Sequence, residues 1–184
     1  MKTLAAALAI LLALCLAACD QREPQAPPSG PTPEIANRVA PRSVILYFEG
    51  PTGLLFPETR ELPLPDNEAA ALHPLLAALV NGSANASVPR LFPEDTVIRG
   101  AFLLPEGTAV VDLGGATLEE GWNTGSRAEM LAAYAVVQTL VSNSRNVRRV
   151  QILVGGQIAP TLAGHLDLTR PLRPTSHLIQ RPPG

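Results

Sequence analysis

The strongest constraint on this chain lies between Met1 and Cys19, because those residues decide on which side of a membrane the rest must fold. Met1-Lys2-Thr3 carries one positive charge, and Leu4 to Leu16 follows with none. That apolar run is shorter than the roughly 20 residues a helix needs to cross a bilayer. It fits the hydrophobic region of a secretory signal peptide. Ala17 and Ala18 are the small residues expected ahead of a cleavage site, and a polar stretch, Asp20-Gln21-Arg22-Glu23, begins directly after Cys19. Residues 1–18 are therefore expected to be removed on export.

The tetrad Leu16-Ala17-Ala18-Cys19 resembles the bacterial lipobox, whose cysteine receives a diacylglyceryl thioether before cleavage. Cys19 is then the lipid attachment residue. One acyl chain binds a membrane marginally and two or more bind it stably, so the mature protein should stay on the extracytoplasmic side of its membrane. Asp20 resembles the inner-membrane retention signal of Gram-negative envelopes, which in such a host implies the periplasmic face. An ordinary signal peptide that happens to carry a cysteine is the alternative.

Export and lipidation narrow the chemistry. The only cysteines are Cys15, lost with the leader, and Cys19, acylated; the only lysine, Lys2, is lost too. The mature domain is left without a disulfide, a thiolate metal site, a lysine Schiff base or a Walker-type phosphate grip. A net charge of −2 and a pI near 5.9 argue against nucleic acid as a partner. Aromatic residues make up 4% of the chain, too few for stacking platforms. No cofactor is expected.

Residues 19–42 read as the lipid anchor and a tether, with Pro24, Pro27, Pro28, Pro31, Pro33 and Pro41 among small and polar residues. Such a composition builds no core and favours extended polyproline II, with a reach of roughly 25 to 70 Å. Residues 173–184 have similar punctuation and read as a loose tail. Between them, residues 43–172 form one domain large enough to fold without staples. Ser43 to Phe48 is apolar on both alternations, as in a buried strand. Leu54 to Leu62 reads as a second strand, which Pro57 confines to an edge. Leu72, Leu75, Leu76, Leu79 and Val80 recur at helical spacing up to Gly82, although Pro74 conflicts with a straight helix from Asn67. Pro105-Glu106-Gly107 joins a hairpin. Ser126-Arg127-Ala128-Glu129 reads as a capping box ahead of a long helix to Asn143. Arg148 to Val154 is a strand, with Gln157 to Ala159 a candidate short return. The expected class is α+β: a small mixed sheet with two helices packed on one face, in the order β-β-α-β-β-α-β.

Several of these segments together resemble the GerMN domain, also called the sporulation and spore germination domain. The resemblance rests on Val44 to Phe48, Pro57 to Pro63, the helix Ser126 to Leu140, Val150 to Val154, and above all Thr161-Leu162-Ala163-Gly164-His165-Leu166-Asp167-Leu168 with Pro171-Leu172. It spans about Ser43 to Leu172. One departure is Asn143-Ser144-Arg145-Asn146, more polar than expected after the long helix. The resemblance implies a non-enzymatic module with no catalytic motif to carry over. It also implies likeness to ring-building domains of trans-envelope assemblies, and hence an envelope protein as partner.

Four side chains stand out as a candidate interaction surface. Glu58, Arg60 and Glu61 cluster on the edge strand, where charges also discourage sheet-to-sheet aggregation. Trp122 is either an exposed hydrophobic anchor or a lid on the core. His165 and Asp167, two apart, would share a face on a strand and suit acid–base work or a metal. The favoured reading is that both fix a turn, with a buried Asp167 accepting backbone amides. His73 and His177 are scattered and give no metal-like spacing with His165. The leading expectation is a protein-interaction module of the cell envelope, with a lipoprotein that binds cell-wall glycan or a small ligand as the alternative. A hydrolase using His165 and Asp167 is the third reading.

Overall fold

A computed structural model of the chain describes residues 39–180. The cleavage site, Cys19 and most of the tether lie outside the described residues. Two long strands open the fold, β1 (Val39–Glu49) and β2 (Leu55–Pro65), paired antiparallel without interruption from Val39↔Pro65 to Glu49↔Leu55. Helix α1 (Glu68–Val80) follows, then β3 (Val97–Leu103), β4 (Thr108–Gly114), a short α2 (Ala116–Glu120), the long α3 (Ser126–Asn143) and β5 (Arg149–Val154). The expected order holds with one addition, α2. The strands divide between two sheets, the β1–β2 hairpin and a three-stranded sheet in which β4 lies between antiparallel β3 and parallel β5. Helices α1 and α3 touch each other, and each contacts both sheets.

The hairpin shows how prolines are accommodated in a strand. The N–H and C=O of Leu55 face away from β1 and bond Leu178 and Gln180 at 2.7 Å each. By strand alternation Pro57, Pro63 and Pro65 point to the same free edge, where a missing N–H breaks no ladder bond. The expected edge role of Pro57 is borne out. Pro41 sits opposite Pro63 within β1, so the tether ends earlier than its composition implied: residues 39–42 are strand, not linker.

Helix α1 begins at an Asn67 cap whose side chain accepts from the Ala70 N–H at 3.0 Å, and runs unbroken through Pro74. The carbonyl that Pro74 leaves unpaired belongs to Ala70, which is exposed near the helix start. Leu72, Leu75, Leu76 and Leu79 are buried as the spacing predicted. The chain leaves the helix through Gly82 at φ +96°. Short α2 has no local signal; Asp95, far back in the chain, accepts from the Thr117 N–H at 2.8 Å at its start.

Two expectations are corrected. Ser126 does not cap α3; the cap position is Gly125, without a side-chain bond, and Glu129 bonds elsewhere. The tail from residue 173 is not loose as far as it is described. Leu172 pairs with Val150, Thr175 accepts from Gln138 Nε2 at 2.6 Å, and Ile179 packs on the core beside Leu55. Buried partners at Gln138 and Leu55 override the loose reading that prolines and polar residues invite.

Candidate functional site

Strand alternation separates the charged trio on β2. Glu58 and Arg60 share the inward face, and Glu61 points outward, exposed. Arg60 Nε lies 2.5 Å from Glu58 Oε1, its Nη2 donates to the Gly82 carbonyl at 2.7 Å, and its guanidinium sits 5.3 Å from the Phe48 ring centre. Glu58 also accepts from the Ser83 hydroxyl at 2.5 Å and the Ala84 N–H at 3.1 Å. Burial pushes the Glu58 pKa up, but these bonds and Arg60 outweigh it and hold the carboxyl below its usual range. The pair fastens the loop after α1 to β2. Only Glu61 of the three is free to meet another molecule.

Trp122 is half-buried. It packs against the core, and it also lines an open groove of about 720 Å³ between α2 and residues 154–164. Ile158, 60% exposed, lines the same groove with Leu118, Pro160 and Leu162. Glu119 and Glu120 give it an acidic rim, with Glu119 held by Arg99 at 2.5 Å. Glu58, Arg60 and Glu61 do not line it, so the trio and Trp122 do not form one surface.

The far wall of the groove hangs on a residue that sequence reasoning missed. Glu129 has no exposed surface. Its Oε1 accepts from the N–H groups of Leu162 and Ala163, and its Oε2 from the N–H of His165, all at 2.8 Å. The His165 ring adds Nδ1 at 3.0 Å from Oε2. A carboxylate can only accept there, so Nδ1 carries the proton and Nε2 is left toward solvent. Burial raises the Glu129 pKa, yet N–H donors from Ala163, His165, Leu162 and Leu166 more than offset it and keep the group ionised. The available signal was an acid at the head of the apolar stripe Glu129, Ala133, Val136, Leu140, where a helix facing the core should be apolar.

His165 and Asp167 are not brought together. Asp167 is exposed and accepts from the N–H and hydroxyl of Thr169, at 2.9 and 2.6 Å, in a local turn. The expected turn is there, but the expected burial of Asp167 is not; Glu129 has the role assigned to it. Among the described residues no group of three or more His, Cys, Asp or Glu side chains could hold a metal ion. His73 is exposed on α1, and His177 is exposed near the end. A second cleft, about 450 Å³, opens under the β3–β4 turn beside Arg148.

A family described as sporulation and spore germination, Germane, matches residues 45–159. No curated protein matches the chain in sequence. Three solved structures share the fold at low identity. A Clostridium perfringens protein named as a candidate lipoprotein is 20% identical, with a TM-score of 0.52 over 73% of this chain and 88% of its own. The tandem GerMN domains of the sporulation protein GerM from Bacillus subtilis are 19% identical, with a TM-score of 0.53 over 83% of this chain and 51% of theirs. The first of those domains alone gives 19% and 0.51, over 76% and 98%.

Proposed function

This chain belongs to the Germane family, sporulation and spore germination, and from that premise we propose that it is a lipid-anchored, non-enzymatic interaction module of the cell envelope. Its partner would be an envelope protein that inserts a side chain or short segment between Trp122 and Ile158. The observation that carries this is the groove itself. An isoleucine 60% exposed in the same groove as a tryptophan, over a wall pinned by Glu129, gives a groove of mixed polarity two apolar anchor points and an acidic rim. The organised charges elsewhere, Glu58–Arg60 and Glu129–His165, are occupied in holding loops.

The anchor enters from the lipobox-like tetrad ending in Cys19. Among the described residues no helix is long and apolar enough to cross a membrane. The similar Clostridium perfringens protein is also named as a candidate lipoprotein. Spore biology is not part of the proposal.

The test combines both parts. A photo-crosslinking residue at Ile158 should give a discrete protein adduct in cells, abolished by Trp122→Ala while thermal unfolding stays near that of the parent. Cys19→Ser should end labelling by an alkyne fatty acid and release the domain from membranes. Glycan fragments protecting the groove, with no protein adduct, would sink the interaction reading in favour of a wall-binding role. A Cys19→Ser chain that still labels and pellets would sink the anchor.

A further inference from the structure

One end of the domain combines cations with exposed apolar side chains. At the turn between β3 and β4, Phe102 is 61% and Leu104 40% exposed. Arg148 lines the cleft beneath, and its backbone N–H donates to the Gly107 carbonyl at 2.8 Å. Arg145 and Arg148 are exposed, and Arg149 is partly so while its Nε donates to Thr108 Oγ1. The antiparallel pairing of Leu172 with Val150 places exposed Arg173 beside Arg149. Three acids lie nearby. Glu106 lines the cleft, Asp66 is exposed just ahead of α1, and the Glu68 carboxylate is taken up by the Arg145 N–H at 2.9 Å and the Asn146 side chain at 2.7 Å.

The chain enters the domain at this same end. Val39, the first described residue, is 56% exposed and pairs with Pro65. Three residues beyond Pro65, Glu68 grips the Arg145–Asn146 loop. Val39, where the described chain begins, therefore belongs to the end of the domain that carries the Arg145–Asn146 loop. The groove lies at the other end, because β4 and β5 run parallel from Thr108 and Arg149 toward Gly114 and Val154, where the groove begins.

We infer that this end docks on the anionic bilayer that holds the Cys19 lipid, an inference that rests on the lipid-anchor reading. Phe102 and Leu104 enter the headgroup region, and Arg145, Arg148, Arg149 and Arg173 meet the lipid phosphates. Guanidinium groups pair with phosphate in two-pronged fashion, and basic side chains beside apolar ones suit a surface that offers phosphate and hydrocarbon within a few ångströms. A soluble polyanion would take the arginines and leave Phe102 and Leu104 in water. The contact need not be strong, because a tether raises the local concentration of the surface. Its effect is orientation: the Trp122–Ile158 groove is presented away from the membrane.

The test uses the full mature protein bound to vesicles, with an environment-sensitive dye on Leu104→Cys or, as a control beside the groove, Glu120→Cys. Intact mass first decides whether Cys19 is lipidated. If it is not, the anchor reading fails, and docking is decided by the same dye signals in a Cys19→Ser background at high lipid concentration. On phosphatidylglycerol vesicles the Leu104 dye should shift to the blue and be quenched severalfold more by brominated acyl chains than the Glu120 dye. The difference should vanish on phosphatidylcholine or in high salt. Arg145→Gln with Arg148→Gln and Arg173→Gln should abolish it with no loss of folded protein, since Arg149 keeps its bond to Thr108. A Leu104 dye that reads like the Glu120 dye on both vesicle types overturns the inference. So does retention on poly(glycerol phosphate) with no blue shift on vesicles, which would make the arginines a wall-polymer site.

Discussion

Asn143, in the last turn of α3, completes the free edge of β1 at Ile45: its Oδ1 accepts from the Ile45 N–H at 2.9 Å, and its Nδ2 donates to the Ile45 carbonyl at 2.7 Å. One amide side chain thus stands in for a neighbouring strand. One helical turn earlier, Thr139 Oγ1 accepts from the Tyr47 N–H at 3.2 Å. An uncovered edge invites pairing with other chains, and here a helix covers it. Asn143→Asp keeps the acceptor and loses the donor, so the Ile45 carbonyl is stranded beside a carboxylate. We expect a loss of about 1–3 kcal/mol, read as a lower melting temperature, with Asn143→Leu also showing concentration-dependent association by light scattering. Unchanged melting in both variants would show that the edge needs no cover.

That pairing also explains what was legible in the sequence. Local signals were read correctly where one element carries them: the Gly82 exit of α1, the turn at Gly107, the edge position of Pro57. What escaped were polar side chains whose partners lie far along the chain. Asn143 to Asn146 seemed too polar for its place because Asn143 serves β1 and the next loop serves Glu68. Glu129 was read as an N-terminal cap partner because a carboxylate three residues into a helix often is one, and its donors lie more than thirty residues away. The tail from residue 173 looked loose because its docking depends on Gln138 and Leu55, not on its own composition. Ile158, which lines the same groove as Trp122, was not singled out, since a lone isoleucine after Gly155-Gly156 carries no mark of exposure.

The docked tail gives a direct expectation. A chain that stops at Arg173 removes the Thr175 carbonyl from buried Gln138 and the Leu178 and Gln180 partners from Leu55. Each stranded buried group costs about 1–3 kcal/mol, and the packing of Ile179 is lost besides. The truncated chain should melt well below the full one and lose amide-exchange protection at Leu55. A loose tail would leave both unchanged.

Glu129 sets a pH dependence whose sign follows from its depressed pKa. The ordinary value is 4.5, and the enclosing N–H donors hold the folded-state value lower. The group therefore contributes its stabilisation in full above about pH 4.5 and loses it as pH falls through the folded-state pKa. Glu58 and Glu68 are shifted the same way and add to the slope. Glu129→Gln should cost on the order of 3 kcal/mol at pH 7, since an amide brings its own donors against the Leu162, Ala163 and His165 N–H groups. It should also flatten the acid limb of a stability–pH curve measured by denaturant unfolding. A variant with the parent's acid slope would mean that Glu129 does not titrate with unfolding.

The two glycines that begin and end near arginines separate backbone strain from crowding. Gly53 has φ +68°, and a methyl group there would fall 0.9 Å from Arg127 Nη2; Gly107 has φ +84°, and a methyl group would fall 2.7 Å from the Asn146 carbonyl oxygen. Both substitutions place a side chain in the left-handed region, worth roughly 1–2 kcal/mol. The difference lies in what can move. Arg127 is 60% exposed, lies 3.9 Å from Glu49 and donates to the Thr52 carbonyl at 3.4 Å, so its head can swing away for the loss of two long contacts. The Asn146 carbonyl belongs to the loop whose Arg148 N–H bonds Gly107 itself at 2.8 Å, and it cannot retreat without breaking that joint. Gly53→Ala should therefore cost about the backbone strain alone. Gly107→Ala should cost clearly more and loosen the start of β5 as well. Chemical denaturation of the two variants, with amide exchange at Arg148 and Val150, measures both effects. Equal losses of stability, with unchanged protection at Val150, would show that the Gly107 contact yields as easily as the Arg127 side chain.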